Sequence, residues 1–515
     1  MTTPNGPSPA DAAETVSDDV KALERLGYAQ ELRRGMSAFS NYAISLSIIC
    51  ILAGGVTSFQ IGYCSVGGAS IGLGWPLSCL FSLAVAVTMG QVASAFPTAG
   101  GLYHWASILG GRGFGWVTAW FNLAGLVTVL AAINVGTWQF AAGALGPAFG
   151  VDPSAWSPGK AIAVQTVAVI AITGSQAFVN HRGIRATTIL TDFSGWWILF
   201  ISLALTVAVI VFAPKLHLGQ LVTFTNLSGP RGGDVWPATT SVPWLFLLGF
   251  LLPAYTVTGF DASAHTAEET IGASINVPKG IVRSVLVSGL FGWIMLSAVV
   301  AAAPDPGAAA AQGANAFAFI VGKVLPSWAA TLLYAGIAVA QYLCGLATVT
   351  SASRMTFAFA RDGGLPASNA LRRVSPTHRT PATAIWVTAA LSVAFTVYTP
   401  VYSTITAVCV IFLYVSYAIP TALGLYAWGR TWTATGPWDV GRLYRPLALV
   451  AVLFGVLLIV VGVQPPNDKA LWILAGAAVV LALGWVGIAR KRFAGPPEAI
   501  TSAARVKEIA APERA

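Results

Sequence analysis

The sequence predicts an all-α membrane protein of about twelve transmembrane helices. Three observations carry this: apolar runs of membrane-spanning length, too little charge for a soluble surface, and basic residues gathered on one side of the spans. Hydrophobic residues make up 56% of the 515-residue chain and charged residues only 9%, against roughly 25% charged in a soluble domain.

A hydrocarbon core about 30 Å thick takes roughly 20 apolar residues per helix. Runs of that kind place spans near 38–63, 72–95, 114–143, 161–179, 184–213, 239–264, 280–303, 326–355, 382–399, 402–426, 445–464 and 470–489. The fifth ends at Pro214, and the ninth and tenth meet at Thr399-Pro400. The expected organisation is a tail over 1–35, a transmembrane domain over 36–489 and a second tail over 490–515. Within the domain, repeat one covers about 38–213 and repeat two about 239–426, with two further helices in 445–489.

Cytoplasmic loops are enriched in Lys and Arg. With both termini inside, only Lys160, Lys215, Arg231, Lys323 and Lys469 of the 28 basic residues fall outside. A miscounted helix would invert every later loop and spoil this bias. The expected location is therefore the cell membrane, multi-pass, with both termini cytoplasmic.

The formal charge of +9 does not point to nucleic acid, because the basic residues lie between spans rather than on one stripe. Cys50, Cys64, Cys79, Cys344 and Cys409 show no CxxC spacing and read as buried packing residues. No cofactor and no metal are expected. The tail before Gly35 lacks a signal-peptide core. It reads as a solvated, partly disordered end with a short amphipathic helix near Ala22 to Leu32, and the chain after Arg490 reads alike.

Interrupted helices at corresponding positions of two halves point to a transporter's binding site. Span 1 carries Gly54-Gly55 in its middle, flanked by Ala53, Val56 and Thr57, and span 6 carries Pro253 with Gly259 soon after. These spans are five apart, and an odd number of helices per repeat inverts the second copy. Freed backbone groups at such breaks suit the two charged ends of an amino acid. The competing reading for Gly54 and Gly55 is close helix packing.

An ionisable residue inside a span is a functional candidate. Asp261 follows the span 6 break and suits a substrate ammonium, proton exchange or a structural pair. His265, Glu268 and Glu269 lie toward the cytosolic mouth, as gating ion pairs or as solvated charges. Asp192 in span 5 reads as a proton relay or a helix-pairing group. Asn122 in span 3 suits substrate or a helix partner, and Thr348, Thr350, Ser351 and Ser353 in span 8 suit a cation site or bonds to their own helix.

At LAGGVTS, QVASAFPTAGGLYHWAS, AWFNLAG, TGFDASAHTAEET and SASRMTFAFARDGGLP, the chain resembles the amino acid-polyamine-organocation superfamily, and within it the amino-acid/choline branch that includes GABA permeases. The resemblance implies the leucine-transporter fold, a five-plus-five inverted repeat with broken helices 1 and 6 and substrate held between spans 1, 3, 6, 8 and 10. It implies that Gly54, Gly55 and Val56 meet a carboxylate. It also implies that Tyr255, Thr258, Gly259, Phe260 and Asp261 form the span 6 side, with Tyr255 where relatives place an aromatic gate. Some relatives use a span 5 lysine in place of sodium, and none stands between Ile184 and Ala213.

The expected function is a permease importing an amino acid or an analogue such as GABA, by proton symport with alternating access. Sodium remains a possible coupling ion, and the lipid bilayer is the other partner. Choline or a polyamine is the alternative solute. A choline cage would draw on Phe121, Tyr255, Phe260 and Tyr342. A transporter-like sensor is the alternative of a different class. The scattered histidines His104, His181, His217, His265 and His378 lack metal-site spacing, so an enzyme is disfavoured.

Overall fold

A computed structural model of the protein describes residues 9–146, 150, 152–398 and 402–497. These form helices joined by short turns, with no β-strand among the described residues beyond two isolated bridges, Met36 with Thr270 and Trp428 with Trp432. Span 1 is Ala38–Ile49 continued by Gly54–Thr57 and Phe59–Val66; span 2 runs from the π-turn Ser70–Gly74 through Trp75–Ala95. Spans 3, 4 and 5 are Arg112–Leu145, Pro158–His181 and Ile184–Phe212. Span 6 comes in pieces, Val242–Leu248, Leu251–Thr256 and Ala262–His265, and span 7 is Ala273–Ala301. Span 8 is Ser327–Arg361, spans 9 and 10 are Ala382–Tyr398 and Tyr402–Ala427, and spans 11 and 12 are Tyr444–Gly462 and Asp468–Gly484.

Ten of these are long and apolar enough to cross a membrane. The two shorter ones are span 6, because it is broken, and span 9. Spans 5 and 12 turn large apolar side chains outward, among them Phe193, Trp196, Phe200, Leu203, Trp472, Val480 and Leu483. Such a surface is stable only against lipid.

The packing repeats after five helices. Span 2 lies on span 7 and span 3 on span 8, pairs that a shift of five returns to themselves. The contact of span 1 with span 5 recurs as span 6 with span 10; span 1 with span 7 recurs as span 6 with span 2; and span 3 with span 10 recurs as span 8 with span 5. Spans 11 and 12 pack outside this set, against spans 2 and 10.

The two ends of the described chain meet on one face, here the terminal face. A Cβ added at Gly27 would lie 2.4 Å from Pro497, and Arg112 Nη1 donates to the Phe493 carbonyl at 3.0 Å. The opposite, far face is filled by short helical turns, Leu218–Val222, Gly229–Gly232, Pro306–Ala311 and Ala316–Val324.

The N-terminal segment differs from its expected form. Its helix is Pro9–Arg25, not 22–32, and the chain after it is a packed strap. Leu23, Leu26, Tyr28, Leu32 and Met36 are all buried, because the terminal face supplies an apolar floor for these spaced residues. Asp19 accepts from the backbone N–H groups of Gly272 and Ala273 at 2.7 and 3.0 Å, capping the start of span 7 from a distant part of the chain. The expected disorder of the outermost ends falls on 1–8 and 498–515, which lie outside the described residues.

Candidate functional site

The break in span 1 begins one turn before Gly54. The first helix stops at Ile49, Cys50 takes φ 23, and Ile51 to Ala53 form a turn. The N–H groups of Gly54 and Gly55 then close onto the carbonyls of Cys50 and Ile51, both at 3.0 Å. Gly54 itself answers to packing: a Cβ there would sit 2.7 Å from the Thr256 Cα of span 6.

Span 6 is interrupted twice, for two reasons. Pro253 has no N–H to offer Gly249, so Leu252 bonds that carbonyl instead at 3.2 Å, and the helix steps at Gly249–Phe250. Past Thr256 the chain unwinds over residues 257–261. Gly259 there has φ +100, where a side chain is strained, and its added Cβ would meet Ile48 Cγ2 at 2.3 Å. Each break therefore carries a glycine pressed against the other span, and the two cross at contact distance.

The unwound segment is held by side chains from its neighbours. Ser45 of span 1 donates to the Phe260 carbonyl at 2.8 Å and accepts from the Ser263 N–H at 2.9 Å. The Gly259 N–H donates to the Tyr417 hydroxyl of span 10 at 3.2 Å, and that hydroxyl donates to Asp261 Oδ1 at 2.8 Å. Asp261 Oδ2 accepts from Asn122 Nδ2 of span 3 at 3.0 Å and faces His265 Nε2 at 3.2 Å. The other ring nitrogen, His265 Nδ1, lies 3.2 Å from the Ala99 carbonyl. Asp261, Asn122 and His265 are fully buried.

Below this cluster the charges pair. Glu269 receives Arg354 Nε at 2.8 Å and Nη2 at 3.1 Å, and Glu268 receives both terminal nitrogens of Arg361 at 2.9 and 3.0 Å. These are bidentate bonds, and both carboxylates have no exposure. Glu268 also accepts from the Ala99 N–H at 3.1 Å. Around them Asp362 receives the hydroxyls of Tyr28 and Tyr103, each at 2.8 Å, and lies 3.1 Å from His104 Nε2. The Arg361 guanidinium sits 3.9 Å from the centre of the Tyr28 ring. The terminal face is thus sealed by charge pairs and by the strap.

On the far side a cavity of about 230 Å³ is lined by Gln60, Asp234, Trp236, Tyr255, Thr406 and Asn467 among others. Tyr255 brings it to the span 6 segment just ahead of the unwound turn. Of the other sequence candidates, Thr57 and Thr258 bond back to the carbonyls of Ala53 and Ala254, as hydroxyls on helices do. Asp192 accepts from Ser40 of span 1 at 3.0 Å, a link between two helices. In span 8, Thr348 bonds the Cys344 carbonyl, Thr350 bonds Asn180 and Leu346, and Ser353 bonds Thr350. The four aromatics of the choline reading do not converge: Phe121 packs on Phe412, Phe260 on Tyr417, and Tyr342 meets Ser175.

Sequence reasoning missed several residues. Arg354, counted among the cytosolic-side basic residues at the end of the expected span 8, is two turns inside the helix and fully buried; an arginine in an apolar run needs an acid, and Glu269 was the signal. Tyr417 had no local signal beyond a hydroxyl in an apolar stretch. Gln341 of span 8 is fully buried with no hydrogen-bond partner on either amide atom, and it faces Gly136 of span 3 in the neighbourhood of Thr57.

Crossed broken helices inside a repeated bundle, with a cavity on one side and a seal on the other, are the architecture of a membrane transporter. The amino acid permease family matches residues 36–487, and the chain belongs to it. It is 30% identical to the amino-acid permease BAT1 of Arabidopsis thaliana, over 93% of this chain and 96% of that one. It is also 30% identical to the BAT1 homolog of Oryza sativa, over 92% and 94%. The GABA-specific permease of Saccharomyces cerevisiae is 26% identical over 90% of this chain and 84% of its own length. Membership makes the protein a multi-pass membrane transporter of amino acids, and not an enzyme.

Proposed function

We propose that the protein imports an amino acid or a close analogue such as GABA across the cell membrane, with both termini in the cytosol, by proton symport. Spans 1 and 6 rock against the other helices to expose the site to each side in turn. The observation that carries this is the crossing of the two breaks directly between the far-face cavity at Tyr255 and the sealed terminal face.

In this reading the solute lies against Ala53 to Thr57 of span 1 and Tyr255 to Phe260 of span 6. Tyr255 closes over it, and Gln341 hydrogen-bonds it. An unpaired buried amide costs about 1–3 kcal/mol, which a polar solute would offset. Asp261 and Asn122, already bonded to each other, hold the span 6 segment rather than the solute. Glu268 and Glu269 serve as the cytosolic gate, and Asp192 ties span 5 to span 1. The name of the yeast relative favours GABA for the first trial, and the dispersed aromatics speak against choline.

The test is uptake of radiolabelled GABA, the common amino acids and choline into proteoliposomes, under imposed proton or sodium gradients. Accumulation of one amino acid driven by a proton gradient is the expected result, with Tyr255→Ala raising KM. Accumulation driven by sodium alone, or of choline alone, overturns the corresponding part of the reading.

A further inference from the structure

We propose that Asp261 and His265 form one proton-binding site, holding a single transferable proton between Oδ2 and Nε2. Resting on the symport reading above, this makes the pair the carrier of the coupled proton.

The argument is a count of hydrogens. A carbonyl oxygen only accepts, so the contact of His265 Nδ1 with the Ala99 carbonyl at 3.2 Å requires the hydrogen on Nδ1. A neutral imidazole has one N–H, and its Nε2 would then turn a lone pair toward Asp261 Oδ2 at 3.2 Å. Two lone pairs at that distance repel. The other donors do not fill the gap, because Asn122 already gives its own hydrogen to Oδ2 and Tyr417 gives its hydroxyl hydrogen to Oδ1. One further proton therefore lies between the two residues, whichever of them formally owns it.

Charge leads to the same count. The groups around the pair are Asn122 from span 3, Ser45 from span 1, the Ala99 peptide, and Tyr417 with the thiol of Cys409 from span 10, none of them a cation. On their own segment Glu268 and Glu269 are matched by Arg361 and Arg354 of span 8, and His104 faces Asp362. An ionised Asp261 without the extra proton would be a lone buried charge in a membrane protein, the arrangement such proteins avoid. With it, the pair is neutral.

The step balances simply: one proton enters from water on one side, sits between Oδ2 and Nε2, and leaves to water on the other. Its loss leaves one negative charge and two opposed lone pairs, which drives Asp261 and His265 apart. Because the bonds that Asp261 accepts from Asn122 and Tyr417 strengthen to an ionised carboxylate, proton release holds Asp261 to spans 3 and 10 while it pushes His265 and the helical end of span 6 away. That is the element the transport cycle must move.

Two measurements on the full-length protein test this. Nitrogen-15 NMR of histidine-labelled wild type, with the His265 signals assigned by their loss in His265→Gln, is expected to show Nδ1 protonated at neutral pH. A neutral ring protonated on Nε2 with a bare Nδ1 overturns the proposal, and this readout does not depend on any variant being active. In proteoliposomes, Asp261→Asn, which removes the titratable oxygen, is expected to lose the dependence of uptake on external pH. It is also expected to lose about tenfold or more of accumulation driven by a pH gradient, within the usual span of coupling between sites. His265→Gln is expected to do the same. If either variant keeps full gradient-driven accumulation, the site assignment fails while symport stands; if the wild type itself ignores the proton gradient, symport fails with it.

Discussion

The two faces of the molecule are closed by different chemistry. The terminal face is held by ion pairs on two buried carboxylates, the fully buried Arg354 with Glu269 and the partly exposed Arg361 with Glu268, and by the network around Asp362. The far face is covered by short turns joined through backbone and indole contacts, such as Trp236 Nε1 to the Ile61 carbonyl at 2.9 Å, and its acids Asp234 and Asp305 are exposed. Buried pairs are all-or-none, since removing one partner strands the other. Apolar and backbone contacts yield gradually. The first kind of closure gives way as a unit, and the second piece by piece.

Substitutions can break this contrast in order of size. Arg354→Met leaves Glu269 buried without a partner and is expected to cost about 3–5 kcal/mol, read as loss of thermal stability in detergent; Trp236→Phe on the far face is expected to cost only about 1 kcal/mol. Gly259→Ala forces a side chain into positive φ against Ile48 and is expected to cost about 1–3 kcal/mol and to abolish uptake.

The pH response sharpens the contrast. Burial alone would raise the Asp362 carboxyl, but the bond to His104, the charge of that ring, the Arg361 guanidinium and the bond from Tyr103 outweigh it and hold it below the usual range. A depressed carboxylate stabilises the fold above its unfolded value of about 3.9, and the gain is lost as pH falls through the lower folded value. Acid melting curves of wild type and Asp362→Asn should therefore converge below that range and separate above it. Asp19→Ala, which uncaps span 7, is expected to cost about 1 kcal/mol. The smallest effect is expected from Gln341→Leu, which fills the same space without unpaired amide atoms: stability unchanged or slightly raised, with KM raised for the solute.

Much of this was legible in the sequence. Runs of apolar residues dictated most spans within a few positions, though span 7 starts at Ala273 rather than 280 and span 8 runs on to Arg361 rather than 355, and Pro253 and Gly259 marked real interruptions because each disables a specific backbone bond or conformation. Gly54-Gly55 marked the right span for a partly different reason. The chain breaks at Cys50 to Ala53, and Gly54 is small because Thr256 lies against it, a fact set by another helix. What stayed hidden follows the same rule. Tyr417 reaches Asp261 across 156 positions and Tyr28 reaches Asp362 across 334, and no local pattern encodes such pairings. The strap was taken for solvated chain with a short amphipathic helix because polar and charged residues dominate it; only the floor beneath its apolar residues makes them a core.

The strap also sets a mechanical condition. Helix Pro9–Arg25 is anchored at Gly272 through Asp19, and span 1 begins at Ala38, so residues 26–37 form a tether between an anchor on span 7 and the first turn of span 1. Along it Tyr28 lies between Arg361 and His104, and Gln30 and Met36 bond the backbone of Glu268 and Glu269. In the rocking motion proposed above, a swing of span 1 that opens the terminal face would first peel this tether from both acids and then rewind it. In that proposed cycle the tail's length and load would act on turnover rate, as a spring would, with no contact to the solute at all.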